Sequence, residues 1–312
     1  MRIIFLGTPQ FAVPTLEALA ANGHEIAAVY TQPDRPKGRG NMLTQSAVKE
    51  SANRIGLTVF QPDRIRRPEN VTALSNLKPE LIVVVGYGQI IPKSIIDIPV
   101  HGILNVHASL LPKYRGAAPI QWAIANGQHE TGVTIMRIDE GLDTGDILLQ
   151  WHTPIGSHET ALELGVRLAA KGAELLVQAV EQIAAGTADY RKQNDAEATH
   201  APILKREDGE ILWARSAQQI YDRLRGFMPW PGAYTFLRKR TLQVWKASVS
   251  GEFLTGSPGT LHVINRRCFV VCGDNSTLEL LELQLEGKKR MATDAFLNGY
   301  MPASGEILGE HA

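Results

Sequence analysis

The chain has 312 residues, enough for two domains that each bury a core, and 44% apolar with 21% charged residues excludes a disordered chain. Its 32 Lys and Arg balance 32 Asp and Glu, so no global field draws in nucleic acid and any RNA must be held by local patches. No apolar run approaches bilayer-spanning length, and MRIIFLGTPQ reads as a strand reaching a turn rather than a cleavable signal, which predicts a cytoplasmic protein.

Arg2 to Gly7 predicts a buried strand. Thr8-Pro9 turns it into a helix from Phe11 to Ala21, with Val13, Leu16, Leu19 and Ala20 at helical spacing. This opens a βαβ unit, yet Pro9 stands where a dinucleotide site needs its second glycine, so a dinucleotide is not expected at Gly7. His24 to Thr31 is a second strand. DRPKGRGN (Asp34 to Asn41) follows as a basic loop carrying Arg35, Lys37 and Arg39, either a solvated surface turn or a glycine-hinged finger that seeks phosphates.

Leu57 to Gln61 reads as a short strand. Glu80 to Gly86 is a continuous apolar run of the kind found mid-sheet in parallel arrangements, broken by Tyr87-Gly88-Gln89 and followed by an apolar lip, Ile90, Ile91 and Pro92. Gly102 to Ala108 is the next strand and Ala117 to Asn126 the helix after it. In GILNVHASLLPKYRG, Asn105 and His107 sit at i and i+2, so an amide and an imidazole leave one side of a strand near its end, ahead of a Ser109 to Pro112 loop. The alternation of strands and helices to about residue 125 predicts an α/β fold with a Rossmann-like, doubly wound, mostly parallel sheet, whose sites form at the carboxyl ends of strands.

Gly132 to Ile138 and Asp146 to Ile155 then read as an antiparallel pair around the acidic turn DEGLDTG. Glu159 to Ala185 is a long helix, with Leu162, Val166, Ala169, Ala173, Leu176, Val180 and Ile183 expected to face the sheet. Thr187 to Pro202 is polar and aperiodic and reads as a linker. The division expected is therefore a domain over 1–186, a linker over 187–202 and a second domain over 203–312.

That second domain begins with a helix, Ala217 to Phe227. Five short strands follow (Gly232 to Phe236, Thr241 to Val249, Gly259 to Ile264, Cys268 to Cys272, Leu278 to Leu285), predicting a small, OB-like β-barrel. From Lys205 to Lys246 nine cations face four acids, a local excess of five, interleaved with Trp213, Trp230, Tyr234 and Trp245; these aromatics read either as core or as part of an RNA surface. Cys268 and Cys272 share a strand face without further ligands nearby, so they read as buried hydrophobes, and no metal spacing appears elsewhere.

Asn105 and His107 need a carboxylate to form a catalytic set, and Asp139, Asp143 and Asp146 are candidates. Asp143, between Gly141 and Gly145, can bend towards the strand ends. An imidazole held by a carboxylate is a general base and an amide N–H can hold an oxyanion, a set that suits amine attack on an already activated acyl carbon. From spacing alone His107 can equally be a satisfied core histidine and Asp143 a turn residue.

The sequence resembles the methionyl-tRNA formyltransferases, within the wider group of enzymes using 10-formyltetrahydrofolate. The resemblance covers essentially the whole chain, through FLGTPQFAVPTL, TQPDRPKGRG, VVVGYGQIIP, NVHASLLPKYRGAAPIQWAI, GVTIMRIDEGLDTGDIL and PWPGAY. It implies that Asn105, His107 and Asp143 form a catalytic trio, in which His107 takes the proton of the methionyl amine, Asn105 steadies the oxyanion and Asp143 orients His107. It further implies folate as co-substrate, held by Tyr87, Gly88, Gln89, Ile90, Ile91 and Pro92, by Ser109, Leu110, Leu111 and Pro112, and by Asp139 and Gly141. Initiator methionyl-tRNA would be held through Arg35, Lys37, Arg39, Lys205 and Arg206. No metal, no membrane and a monomer are expected. The competing readings are a folate-dependent formyltransferase acting on a small amine, such as a nucleotide-linked sugar or glycinamide ribonucleotide, and a noncatalytic RNA-binding protein on a relict folate fold.

Overall fold

The computed structural model describes residues 1–37 and 42–310. In chain order its elements are β1 (Arg2–Gly7), α1 (Val13–Ala21), β2 (Glu25–Tyr30), β3 (Arg35–Lys37), β4 (Met42–Thr44), α2 (Ala47–Arg54), β5 (Val59–Phe60), α3 (Pro68–Asn76), β6 (Leu81–Val85), α4 (Lys93–Ile96), β7 (Ile103–His107), β8 (Arg115–Gly116), α5 (Pro119–Ala125), β9 (Glu130–Arg137), β10 (Ile147–Pro154), α6 (Ala161–Ala184), β11 (His200–Ala201), α7 (Ala217–Gly226), β12 (Tyr234–Leu237), β13 (Arg240–Ser250), β14 (Leu261–Ile264), β15 (Arg267–Val271), β16 (Thr277–Leu285), β17 (Met291–Ala292) and α8 (Thr293–Tyr300). They form two compact units, one of residues 1–119, 130–154 and 164–202, the other of 120–129, 155–163 and 203–312. The second unit thus takes two segments from before residue 186.

The first unit is built on a seven-stranded sheet ordered β10-β9-β7-β6-β1-β2-β5. Strands β5, β2, β1, β6 and β7 run parallel, and β9 and β10 add to the β7 edge antiparallel. The central strands are apolar throughout because both faces are covered. One face carries Ile4, Leu6, Ile82, Val84 and Ile103, packed with Ile65, Leu74 and Ile95. On the other face α6 lies so close that a Cβ at Gly172 would stand 2.8 Å from Val106 Cγ1. The α6 residues that do the burying are Leu164, Leu168, Ala169, Ala173, Leu176, Val180 and Ile183, whereas Leu162 and Val166 are exposed at 59% and 73%. This corrects the expected stripe, whose amino-terminal part runs through Ala161, Leu164 and Leu168 in place of Leu162 and Val166.

Residues 187–202 are not a free tether. Arg191 bridges Ile147 through reciprocal backbone hydrogen bonds of 2.8 Å, and β11 pairs in parallel with β8. The stretch is a strap along the first unit, and its lack of period follows from its using single hydrogen bonds in place of a packed face. The helices α2, α3 and α4 lie where only alternation, and no individual helix, was read.

In the second unit the antiparallel order is β12-β13-β16-β15-β14, with β17 on β16. The carboxyl-terminal segment closes the seam, since Leu261 N donates to Glu306 O, Leu308 N to Gly259 O and Gly309 N to Phe236 O. Alternating residues of the strands (Leu242, Val244, Val270, Leu278, Leu280) fill the interior with Trp213, Ile220, Leu224 and Phe296. Cys268 and Cys272 belong to this core, and burial pushes both thiols up to about 12. Among the described residues no helix is long and apolar enough to cross a membrane.

Candidate active site

Period-two alternation decides which residues of β7 share a face. Val106 points to α6, so Ile103, Asn105 and His107 share the opposite side. Towards the amino end that side is apolar and covered; at the carboxyl end it turns polar. Asn105 is half-buried beside Val84 and Met136, and its side-chain amide makes no hydrogen bond among the described residues. A half-exposed primary amide with its donors unspent can meet a ligand oxygen without first breaking a bond.

His107 is 5% exposed. Its Nε2 lies 3.0 Å from the Tyr114 carbonyl oxygen, and its Nδ1 lies 3.7 Å from Asp143 Oδ2, an ion-pair rather than a hydrogen-bond distance. Both ring nitrogens therefore face acceptors. A neutral ring has one N–H and meets only one of them, whereas a second proton arriving on the ring would be met by the other. This environment suits a group that accepts a proton during reaction.

Asp143 is brought there by its loop. It adopts φ +53°, and its Oδ2 accepts a 2.8 Å hydrogen bond from Gly116 N–H. The neighbouring glycine is required by close approach, since a Cβ at Gly145 would lie 1.9 Å from the Arg137 carbonyl oxygen. Asp139 organises the same loop, its Oδ1 accepting from Gly141 N–H at 3.0 Å and from Thr144 Oγ1 at 2.6 Å. Of the three candidate carboxylates, Asp143 is the one at His107, while Asp139, exposed, turns its Oδ1 into its own loop.

The other expected residues divide between exposed backbone and packed side chains. Tyr87 is 1% exposed in the sheet core with an unpartnered hydroxyl, and burial raises its phenol well above the ordinary value. Its carbonyl oxygen accepts from Thr8 Oγ1 (3.0 Å) and Gln32 Nε2 (3.1 Å), so the residue is packed in the protein and not open to a ligand. Gln89 spends its amide on Ile65 N–H (2.7 Å) and Pro62 O (3.0 Å). Gly88 and Ile90 are exposed, Ile90 at 86%, and Ile91 and Pro92 half-buried. Ser109 is fully buried and donates to Lys113 O, Leu111 packs with Met136 and Ile147, and Leu110 and Pro112 are half-buried. Thr134 donates to Ser109 O and accepts from Leu111 N–H, fixing the loop after β7.

Arg35 is exposed on the β3–β4 hairpin. At its base Asp34 accepts from Lys49 Nζ (2.6 Å) and Gln61 Nε2 (2.8 Å), and the Lys49 bond holds its carboxyl below the ordinary value. Arg39 lies outside the described residues, as does the Lys37 side chain. Lys205 and Arg206 are exposed. Four of the nine cations counted between 205 and 246 are occupied internally, among them Arg240, which donates to Glu286 O at 2.9 Å. Arg225 pairs with Asp222 at 2.8 Å with both side chains buried, Arg238 pairs with Glu306, and Arg223 covers the Phe227 ring and donates to Asp208 O. Trp213 is core, with its indole N–H on Thr235, and Trp230 is 55% exposed. Among the described residues no group of three or more His, Cys, Asp or Glu is placed to hold a metal ion.

Sequence reasoning missed the Tyr114 carbonyl, the Gly116 N–H and Gln193, whose side chain donates to the carbonyls of Asp143 and Gly145 at 2.8 Å each. The first two act through backbone, which leaves no side-chain signal. Gln193 lies in the polar strap, where nothing in the spacing distinguishes it from its neighbours.

Residues 1–180 match the family model described as formyl transferase and residues 203–301 match that of the formyl transferase carboxyl-terminal domain. The methionyl-tRNA formyltransferases of Solibacter usitatus and Koribacter versatilis are each 53% identical over 310 residues, covering 99% of this chain and 99% of theirs. The fold is similar to the crystal structure of an N-formyltransferase from Helicobacter canadensis in complex with folinic acid and dTDP-3-aminofucose. That likeness has TM-score 0.66 and 19% identity, and covers 89% of this chain and 98% of that one.

Proposed function

Because the chain belongs to the formyl transferase family, and within it to the methionyl-tRNA formyltransferases, we propose that Asn105, His107 and Asp143 carry its reaction. That reaction moves the formyl group of 10-formyltetrahydrofolate to the α-amino group of methionine on initiator methionyl-tRNA, for translation initiation in the cytoplasm. The observation that carries the site reading is β7 itself, which sets an unspent amide beside a buried imidazole that faces Asp143.

The amine attacks the formyl carbon, and the carbonyl electrons move onto oxygen. Asn105 donates its amide N–H to that oxygen as charge develops, a contact stronger in the transition state than in the ground state. His107 takes the proton the nitrogen sheds on forming the new C–N bond, and the carboxylate of Asp143 faces the resulting imidazolium. Collapse of the tetrahedral species breaks the bond to N10 of the folate, which leaves with the proton that His107 had taken and so returns the imidazole to its neutral form. The chain needs no side-chain nucleophile because the acyl donor is already activated.

Folate would lie along the 88–92 backbone and the exposed Ile90 side chain, against Leu110 and Pro112 of the 109–112 loop and against the Asp139 to Gly141 turn. Support comes from the likeness in fold to an enzyme crystallised with folinic acid, a reduced folate. Arg35, Lys37, Arg39, Lys205 and Arg206 would meet the phosphates of the tRNA. Residues 1–186 would act as the catalytic part, 187–202 as its connection and 203–312 as the tRNA-binding part, in a monomer. Formylation of methionyl-tRNA by the purified protein with 10-formyltetrahydrofolate tests the reading. Turnover that falls steeply with salt is expected, and salt-insensitive formylation of a small amine with none of the tRNA would overturn it.

A further inference from the structure

The strap of residues 187–202 supplies the site with a residue whose side chain is bound within the protein. Gln193 uses its whole amide: Oε1 accepts from Arg115 Nε (3.1 Å) and Nη2 (2.8 Å), and Nε2 donates to the carbonyl oxygens of Asp143 and Gly145 (both 2.8 Å). The orientation of the amide is thereby fixed, since turning it over would set its NH₂ against the guanidinium and its oxygen against two carbonyls. Arg115 is 6% exposed and is itself anchored to Asp195 at 2.7 Å.

A buried arginine beside a loop is satisfied more strongly by a carboxylate than by an amide. A carboxylate at 193 would accept from Arg115 equally well but could donate nothing to residues 143 and 145. The amide is therefore the group that serves both ends, and its donating end is the one that a carboxylate cannot replace. That end holds the Asp143–Thr144 and Gly145–Asp146 peptide units, in the turn where Asp143 sits at φ +53° with its carboxylate turned towards His107.

We infer that Gln193 is a positioning residue for the formyl transfer, holding the 143–145 backbone so that the Asp143 carboxylate stays opposite His107 Nδ1. The inference rests on the role proposed above for Asp143. All four of the Gln193 side-chain hydrogen bonds go to the protein. The residue acts through Asp143, and Arg115 in turn holds Gln193.

The test is a double-mutant cycle in the full chain, with steady-state kinetics on methionyl-tRNA and 10-formyltetrahydrofolate and a thermal melt of each variant. Q193E keeps the acceptor for Arg115 and loses both donors, Q193M is neutral and loses both kinds of bond, and D143N removes the carboxylate's charge. Q193E and Q193M should each lower kcat by ~10–10²-fold, up to the loss that a misplacement of about an ångström produces. Both KM values should stay within about threefold in Q193E, because the contact weakened in the reaction is one made in the transition state, while the melt, lowered by the two lost hydrogen bonds, shows that the variant remains folded at the assay temperature. Combined with D143N, Q193E should cost no further activity, since two changes acting through one group do not add. Losses that multiply in the double variant, a normal kcat in Q193E, or slowing by Q193E without slowing by Q193M would each overturn the inference. A normal kcat in D143N would remove the reading of Asp143 as well, and so separates the two failures.

Discussion

At the scale of single residues the site turns on how few side chains are left with unspent hydrogen-bonding capacity. Asn105 retains its amide donors while Gln89 and Ser109 have committed theirs to the protein. The expected consequence is a contrast between substitutions. Asn105→Ala should lower kcat by ~10²–10³-fold with little change in KM, the range for one oxyanion donor, and a change in KM alone would reassign it to ligand binding. His107→Ala should lower kcat by at least ~10²-fold, as for loss of a general base, and near-normal turnover at pH 7 would remove that assignment. Methionyl-tRNA formylation measured at saturating folate distinguishes both outcomes.

At the scale of elements, two ion-pair systems hold the second unit. On α7, Arg225 and Asp222 are both buried, and Arg225 Nη1 also donates to the carbonyls of Gly156 (3.1 Å) and Glu159 (2.8 Å), tying segment 155–163 to the helix. Arg225→Ala strands a buried carboxylate and two carbonyls, and should cost about 3–5 kcal/mol in denaturant melts. The sheet pairs are more exposed and respond to acid. A hydrogen bond from Arg267 holds Glu279 below its ordinary value of 4.5, and one from Arg238 does the same for Glu306. A carboxylate depressed in the folded state contributes stability above its unfolded value that is lost as pH falls through its folded value. The melting temperature should therefore decline as pH drops below about 4.5, and Glu279→Gln should flatten that decline while lowering stability at neutral pH.

For the whole molecule the zero net charge matters, because tRNA cannot be drawn in by an overall field. Affinity must come from local cations, and of the nine counted between 205 and 246 those at 223, 225, 238 and 240 are already engaged within the fold. Lys205 and Arg206, both exposed, are the better candidates for pairing with phosphates. Replacing both with alanine should reduce the slope of log KM for methionyl-tRNA against log salt by about 1–2, close to one unit for each phosphate that is no longer neutralised, with folate KM unchanged. An unaltered slope would place the phosphate-binding cations elsewhere.

What the sequence determined by itself was periodic or chemically distinctive. The parallel strands were legible as apolar runs, β7 as a strand ending in Asn105 and His107, α6 as a helical period, and the strands after 232 as short alternating segments, because burial imposes composition on whole elements. The family was legible in its motifs. Spacing left Asp139, Asp143 and Asp146 open, and the resemblance named Asp143. Only the tertiary structure decided how Asp143 comes to face His107, through a left-handed turn, the Gly116 N–H and a glutamine 50 residues away. It likewise removed Tyr87 from the set of side chains a ligand can reach and turned an apparent linker into a strap. The reason is one of range: local pattern reports the face a residue presents, whereas the partner it meets there arrives from a distant part of the chain, through single hydrogen bonds that leave no period in the sequence.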